Sequence, residues 1–154
     1  MKIYLDVCCW NRPFDDQSQN RVRVEAEAVL SLLEMAGADE LEIIGSDVVD
    51  DELSQMPDDE RREKVELLLS LASAHVALTV AIEQRATELE KWGVAPLDAL
   101  HLASAESAQV DCLLTTDDNL LRKAKRAGLK VKIENPAKWL IQETTDENGH
   151  AQSR

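Results

Sequence analysis

Four acids stand where a carboxylate is costly to place and where chemistry can use one. Asp6 directly follows the apolar run Ile3-Tyr4-Leu5, although Asp is a poor strand residue and expensive to bury unpaired. Asp117 follows a second apolar run in CLLTTDDN, Asp98 lies just after Pro96 in PLDALHLASA, and Glu52 lies in SDVVDDEL beside Asp50 and Asp51. Singly, each has an ordinary explanation. Asp6 can end a turn, Asp98 can face a helix N-terminus, and Asp117 or Asp118 can cap a helix. Together they would do more. Clustered carboxylates repel, and one or two take up protons unless a cation relieves them. Mg²⁺ or Mn²⁺ suits such oxygen donors. The cation activates a water, orients in-line attack and stabilises the leaving oxygen of a phosphodiester. A neighbouring acid can serve as general base.

Whether the acids meet depends on the elements that carry them. KIYLD reads as a strand. Val22, Ala26, Val29 and Leu33 recur at helical spacing between Arg21 and Met35, and Gly37 is the expected stop. LEIIG (41–45) is a second strand, with Ser46 as N-cap of a short helix. A helix spans Asp58 to Leu71, HVALTV (75–80) is a third strand, and Ala81 to Trp92 is helical up to Gly93. Pro96 opens the helix LDALHLASAESA. CLLTT (112–116) is a fourth strand, Asp118 to Ala127 a helix ended by Gly128, VKI (131–133) a fifth strand, and PAKWL a last helical turn. Strands alternating with helices predict a three-layer α/β/α domain with a parallel sheet of about five strands. Ligands bind outside the carboxyl ends of such strands. Regular crossovers bring Asp6, Glu52, Asp98 and Asp117 to that one edge.

The ordered set of IYLD, SDVVDDEL, PLDALHLASA and LLTTDDNL resembles the acidic quartet of PIN-domain nucleases, the family that includes VapC-like toxins of bacterial toxin–antitoxin pairs. The resemblance runs from Met1 to about Trp139, and VKIENPAKWL resembles the end of a PIN domain. It implies a ribonuclease that uses Mg²⁺ or Mn²⁺, an RNA substrate, a homodimer and, for toxin members, an antitoxin that covers the site. Carried over by residue, it makes Asp6, Asp98 and Asp117 metal ligands. Glu52 then ligates metal or positions the water, and Asp50 and Asp51 are its neighbouring alternatives. Asp118 is a supporting acid or a helix cap. Thr115 and Thr116 are placed to touch a phosphate or orient Asp117, and Asn11 to orient Asp6.

Other residues are read more plainly. His101 follows Asp98 by three residues and shares its helix face. A structural histidine is the favoured reading, because Mg²⁺ and Mn²⁺ prefer oxygen; a part in the chemistry is the other. Arg122, Lys123, Lys125 and Arg126 offer phosphate contacts or a solvated face that complements a helix C-terminus. Arg12, Arg21 and Arg23 are similar candidates. Trp10, Trp92 and Trp139 suit packing better than base stacking. The loop NRPFDDQSQN adds Asp15 and Asp16 near the site without an evident role. Cys8, Cys9 and Cys112 have no metal-like spacing and read as reduced, buried residues.

The 154 residues, 44% hydrophobic, fit one domain over 1–141 with a polar tail over 142–154, which includes His150. No apolar run approaches the roughly 18 residues of a membrane span, so a cytoplasmic location without membrane contact is expected. The net charge of -13 opposes broad electrostatic binding of nucleic acid. It favours the rival reading, a non-catalytic PIN-like module that binds a basic protein. An aspartyl-phosphate route lacks the Asp-x-Asp pattern, since Cys8 holds the second position, and no Gly-rich phosphate loop is present.

Overall fold

The structure, a computed structural model, describes residues 1–152, with side chains described through residue 145. Five parallel strands form one sheet in the order β3-β2-β1-β4-β5. They are β1 (Lys2–Leu5), β2 (Glu42–Ser46), β3 (Ala74–Val76), β4 (Cys112–Leu114) and β5 (Lys132–Glu134). β1 is central, and Ile3, Tyr4 and Leu5 are fully buried, as a strand covered on both faces must be. Its registers are Tyr4 against Ile44 on one side and Leu5 against Leu114 on the other. The helices are α1 (Val7–Asn11), α2 (Asn20–Gly37), α3 (Asp47–Ser54), α4 (Asp59–Leu69), α5 (Val80–Glu90), α6 (Pro96–Ser107), α7 (Asp118–Ala124) and α8 (Pro136–Gln152). This is the expected α/β architecture. The chain winds outward from β1 to β3, then crosses back to place β4 on the other side of β1. The point of reversal, between the carboxyl ends of β1 and β4, is where such a fold opens a crevice.

Several elements differ from the sequence expectation for local reasons. The segment after Asp6 is ordered as α1 and a 3-10 turn (Arg12–Phe14). α2 includes Gly37, and the chain turns at Asp39, with φ 59°. β3 ends at Val76, because Asp47 takes the Leu78 N–H (2.8 Å) and the His75 ring (2.7 Å), and Thr79 caps α5. β4 stops at Leu114, although the Thr115 N–H still donates to the Glu134 carbonyl at 3.0 Å, and Thr115 and Thr116 lead from the strand end into the crevice. Asn135 accepts the Ala137 N–H at 2.9 Å and starts α8. That helix is no single turn: it continues to Gln152 through residues whose polarity predicts a frayed tail. Ser153 and Arg154 lie outside the described residues, as does the side chain of His150. Among the described residues no helix is long and apolar enough to cross a membrane.

A buried ion cluster ties the early loop to α2 and the far edge. Glu25 is 2% exposed and accepts from Arg12, Arg21 and the Asn135 amide. Glu25→Ala would leave Arg12 without its buried partner and is expected to cost about 3 kcal/mol, as for a broken buried pair. Arg21→Ala, whose side chain is half-exposed, should cost less than about 1 kcal/mol. Urea unfolding of both variants measures the contrast; equal costs would contradict it.

Candidate metal centre

The crevice begins with two strand ends held side by side. The Asp6 N–H donates to the Leu114 carbonyl at 3.0 Å. Asp6 itself is buried and caps α1, with the Val7 N–H on Oδ1 at 2.8 Å. Its Oδ2 accepts the Thr115 hydroxyl at 2.9 Å and the Cys8 thiol at 3.4 Å. Thr115 also accepts the Asp117 N–H at 3.1 Å. One hydroxyl therefore links Asp6 to the turn that presents Asp117.

Asp117 is the N-cap of α7. Its Oδ1 accepts the Asn119 and Leu120 N–H groups at 2.9 and 3.2 Å, so the capping role and a place at the crevice coexist in one residue. Asp118 turns away to accept both ends of the Arg21 guanidinium, at 2.8 and 2.9 Å, and that pairing holds its carboxyl below the usual range. Thr116 is buried. Its N–H meets the Cys8 sulfur at 3.4 Å and its carbonyl accepts from Arg21. Asn11 bonds elsewhere: its amide donates to the Val7 carbonyl and its oxygen accepts from Arg61. It makes no hydrogen bond to Asp6.

The other side of the crevice comes from α3 and α6, which pack together. Ser46 caps α3 through the Val49 N–H (3.0 Å), which orients the helix that carries Glu52. Pro96 opens α6, placing Asp98 in its first turn and His101 one turn on. Glu52 is the acid of SDVVDDEL that reaches Asp6, and Asp50 and Asp51 are exposed. Ligand-type atoms of Asp6, Glu52 and His101 all lie within 4.8 Å of one another. Asp98 completes the crowd. Burial, and then the charges of Asp6 and Asp117, push its carboxyl up to about 6. Glu52 adds to this shift. A half-buried set of crowded carboxylates fits a hard divalent cation, for which oxygen is the main donor.

His101 is the residue whose part the sequence understates. It is fully buried, as a structural histidine would be, but its Nε2 faces Glu52 Oε2 at 3.2 Å and Asp6 Oδ1 at 3.8 Å. Its i+3 relation to Asp98 was the available signal. Cys8 is likewise only partly buried and lies against Asp6, while Cys9 and Cys112 are buried; all three are free thiols. A second acidic group, Asp47, Asp50 and His75, is fully on the surface.

The neighbouring acids and bases are largely paired. Asp15 is held by Arg12 and Arg61, and Asp16 accepts the Ser18 N–H. Arg12 and Arg21 are engaged with Glu25, while Arg23 is exposed and donates to Asn20. Arg122 and Lys123 lie in the last turn of α7, and Lys125 and Arg126 follow; all four are exposed. Trp10 and Trp139 are buried in the core and Trp92 is exposed.

The crowding has a measurable sign. A carboxyl raised above its unfolded value costs nothing while protonated in both states; its penalty grows as pH rises from 3.8 to about 6 and is complete above that. Asp98→Asn is therefore expected to raise the melting temperature of metal-free protein at pH 7–8. The gain should vanish below the ordinary carboxyl value of 3.8. Thermal unfolding of both proteins across pH checks this; a destabilised variant at pH 7–8 would contradict it.

Solved structures share this fold. VapBC2 from Rickettsia felis, crystallised bound to a DNA fragment from its promoter, contains a chain that superimposes with a TM-score of 0.59 at 21% identity. The match covers 88% of the present chain and 98% of the other. PAE2754 from Pyrobaculum aerophilum gives a TM-score of 0.53 at 15% identity, covering 94% and 90%. No curated protein is similar enough in sequence to count as a relative. The sequence model of the PIN domain matches residues 3–126, a stretch that contains every acid of the crevice, and the chain belongs to the PIN domain family.

Proposed function

We propose that this protein is a metal-dependent endoribonuclease that hydrolyses RNA phosphodiester bonds, and that it is the toxin of a toxin–antitoxin pair. The observation that carries the reading is the convergence of Asp6, Glu52 and His101 within 4.8 Å, beside an Asp98 whose carboxyl is raised. In this reading Asp6, Asp98 and Asp117 hold Mg²⁺ or Mn²⁺. When bound, the cation supplies Lewis-acid activation of water and neutralises charge on the scissile phosphate. Glu52 accepts a proton from the attacking water or holds that water in line. Thr115 keeps Asp6 oriented and ties the Asp117 turn to it. Asp118 anchors the same turn to α2 through Arg21.

The net charge of -13 calls for a local route for RNA. The exposed Arg122, Lys123, Lys125 and Arg126 provide candidate phosphate contacts. The resemblance to VapC-like toxins supports an antitoxin partner, a homodimer and a cytoplasmic site of action, with residues 1–141 as the catalytic unit.

Titration calorimetry with Mn²⁺ tests the centre without a guess at the RNA. Binding to the native protein, and its loss in Asp98→Asn, is the expected result. Glu52→Gln should then lower metal-dependent RNA cleavage on the order of 100-fold or more, the usual range for losing a general base. No Mn²⁺ binding together with a tight protein complex would instead favour a non-catalytic binding module.

A further inference from the structure

We propose that His101 is a positioning residue whose Nε2–H is held toward Glu52 by a hydrogen-bond chain from Ser46 through Tyr4, and that it is not a metal ligand. The inference rests on the proposed nuclease reading only for what Glu52 does; the chain itself is a matter of hydrogens and acceptors.

Four elements contribute one member each: Ser46 from the end of β2, Tyr4 from β1, His101 from α6 and Glu52 from α3. Ser46, Tyr4 and His101 are all fully buried, so each of their polar atoms needs a partner within the protein. The Tyr4 hydroxyl lies 2.7 Å from Ser46 Oγ and 2.7 Å from His101 Nδ1. The two rings meet edge-on, with centroids 5.8 Å apart, which fixes the imidazole plane. Its other nitrogen, Nε2, faces Glu52 Oε2 at 3.2 Å and Asp6 Oδ1 at 3.8 Å.

The direction of the chain follows from counting hydrogens. A lone pair on Nε2 would point at two carboxylates, so that nitrogen carries a hydrogen. Ser46 Oγ already accepts the Val49 N–H at 3.0 Å, and its single hydrogen is free to go to Tyr4. The Tyr4 hydrogen then goes to Nδ1, and Nε2–H goes to Glu52. Every hydrogen has an acceptor. The reverse order, from Nδ1–H to Tyr4 to Ser46, fails twice. It leaves the buried Ser46 hydrogen with no acceptor among the hydrogen bonds of the structure, and it aims a lone pair at Glu52. A neutral imidazole has one donor and one acceptor nitrogen, and the bond at one fixes the role of the other. With Nε2 protonated, His101 cannot ligate a cation there. The centre keeps oxygen donors, which suits Mg²⁺ or Mn²⁺ rather than softer ions. Glu52, on a short helix and partly open to solvent, gains a fixed donor that sets its carboxylate plane.

The test uses the ¹⁵N-labelled full chain without metal at pH 7.5. Long-range ¹H–¹⁵N correlation reads which imidazole nitrogen is protonated, and the His101 signals are those lost in His101→Gln. Protonated Nε2 is the expected result; an Nδ1–H, Nε2-unprotonated imidazole overturns the proposal. Electron spin-echo spectroscopy of the Mn²⁺-loaded protein should show no directly coordinated nitrogen, and a coupled imidazole nitrogen would overturn it. The Gln amide reaches the place of Nε2 and the Asn amide does not. His101→Gln should therefore keep Mn²⁺-dependent cleavage of total RNA within about threefold, while His101→Asn loses about 10-fold or more, the usual scale for groups that orient active-site residues. Equal losses would count against positioning. If the native protein binds no Mn²⁺, the nuclease reading fails, while the metal-free spectrum still decides the tautomer.

Discussion

The structure depends on carboxylates forced together at the one place where a parallel sheet reverses its winding. The Asp6 N–H bonded to the Leu114 carbonyl joins the ends of β1 and β4, and the crevice opens there. Burial and charge of one sign are both unfavourable at that point, and together they raise the carboxyl of Asp98. The surrounding groups are arranged to limit the cost. Asp6 accepts the Val7 N–H, the Thr115 hydroxyl and the Cys8 thiol, and His101 faces both Asp6 and Glu52. The three donors to Asp6 orient it without cancelling its charge. A fold that tolerates such crowding keeps an acidic cluster that could hold a cation, at some expense in stability, as functional sites commonly do.

The same economy governs the periphery. Asp15, Asp16 and Asp118 add negative charge near the crevice, and each is bound: Asp15 by Arg12 and Arg61, Asp16 by a backbone N–H, Asp118 by Arg21. Glu25 gathers Arg12, Arg21 and Asn135 beneath them. The arginines that the sequence offers as phosphate contacts are thus partly spent in holding the loop and the start of α7 in place. Arg122, Lys123, Lys125 and Arg126 remain exposed at the end of α7 and just after it.

Much of the fold was legible because the signals are local. Alternating apolar runs and helical periods mark the strands and helices, and Ser46, Asp58 and Pro96 open their helices as their types predict. The acids were legible because a strand ending in Asp and a Pro-led helix carrying Asp fall on one edge of such a sheet. What stayed hidden depends on long-range partners. β3 is short because Asp47, distant in sequence, captures Leu78. The loop after Asp6 is helical because Asp6 caps it. Asn11 turns to Arg61, fifty positions away, rather than to Asp6. His101 joins the acids only because Tyr4 and Ser46 aim its ring. None of these follows from spacing alone.

Diffraction from crystals soaked in Mn²⁺, with anomalous scattering to mark the ion, tests the central claim most directly. An ion bound by carboxylate oxygens of Asp6 and Asp98, with Glu52 beside it and His101 outside the ligand set, is the expected result. An ion found only at the surface group of Asp47, Asp50 and His75, or none at the crevice at saturating Mn²⁺, would contradict it.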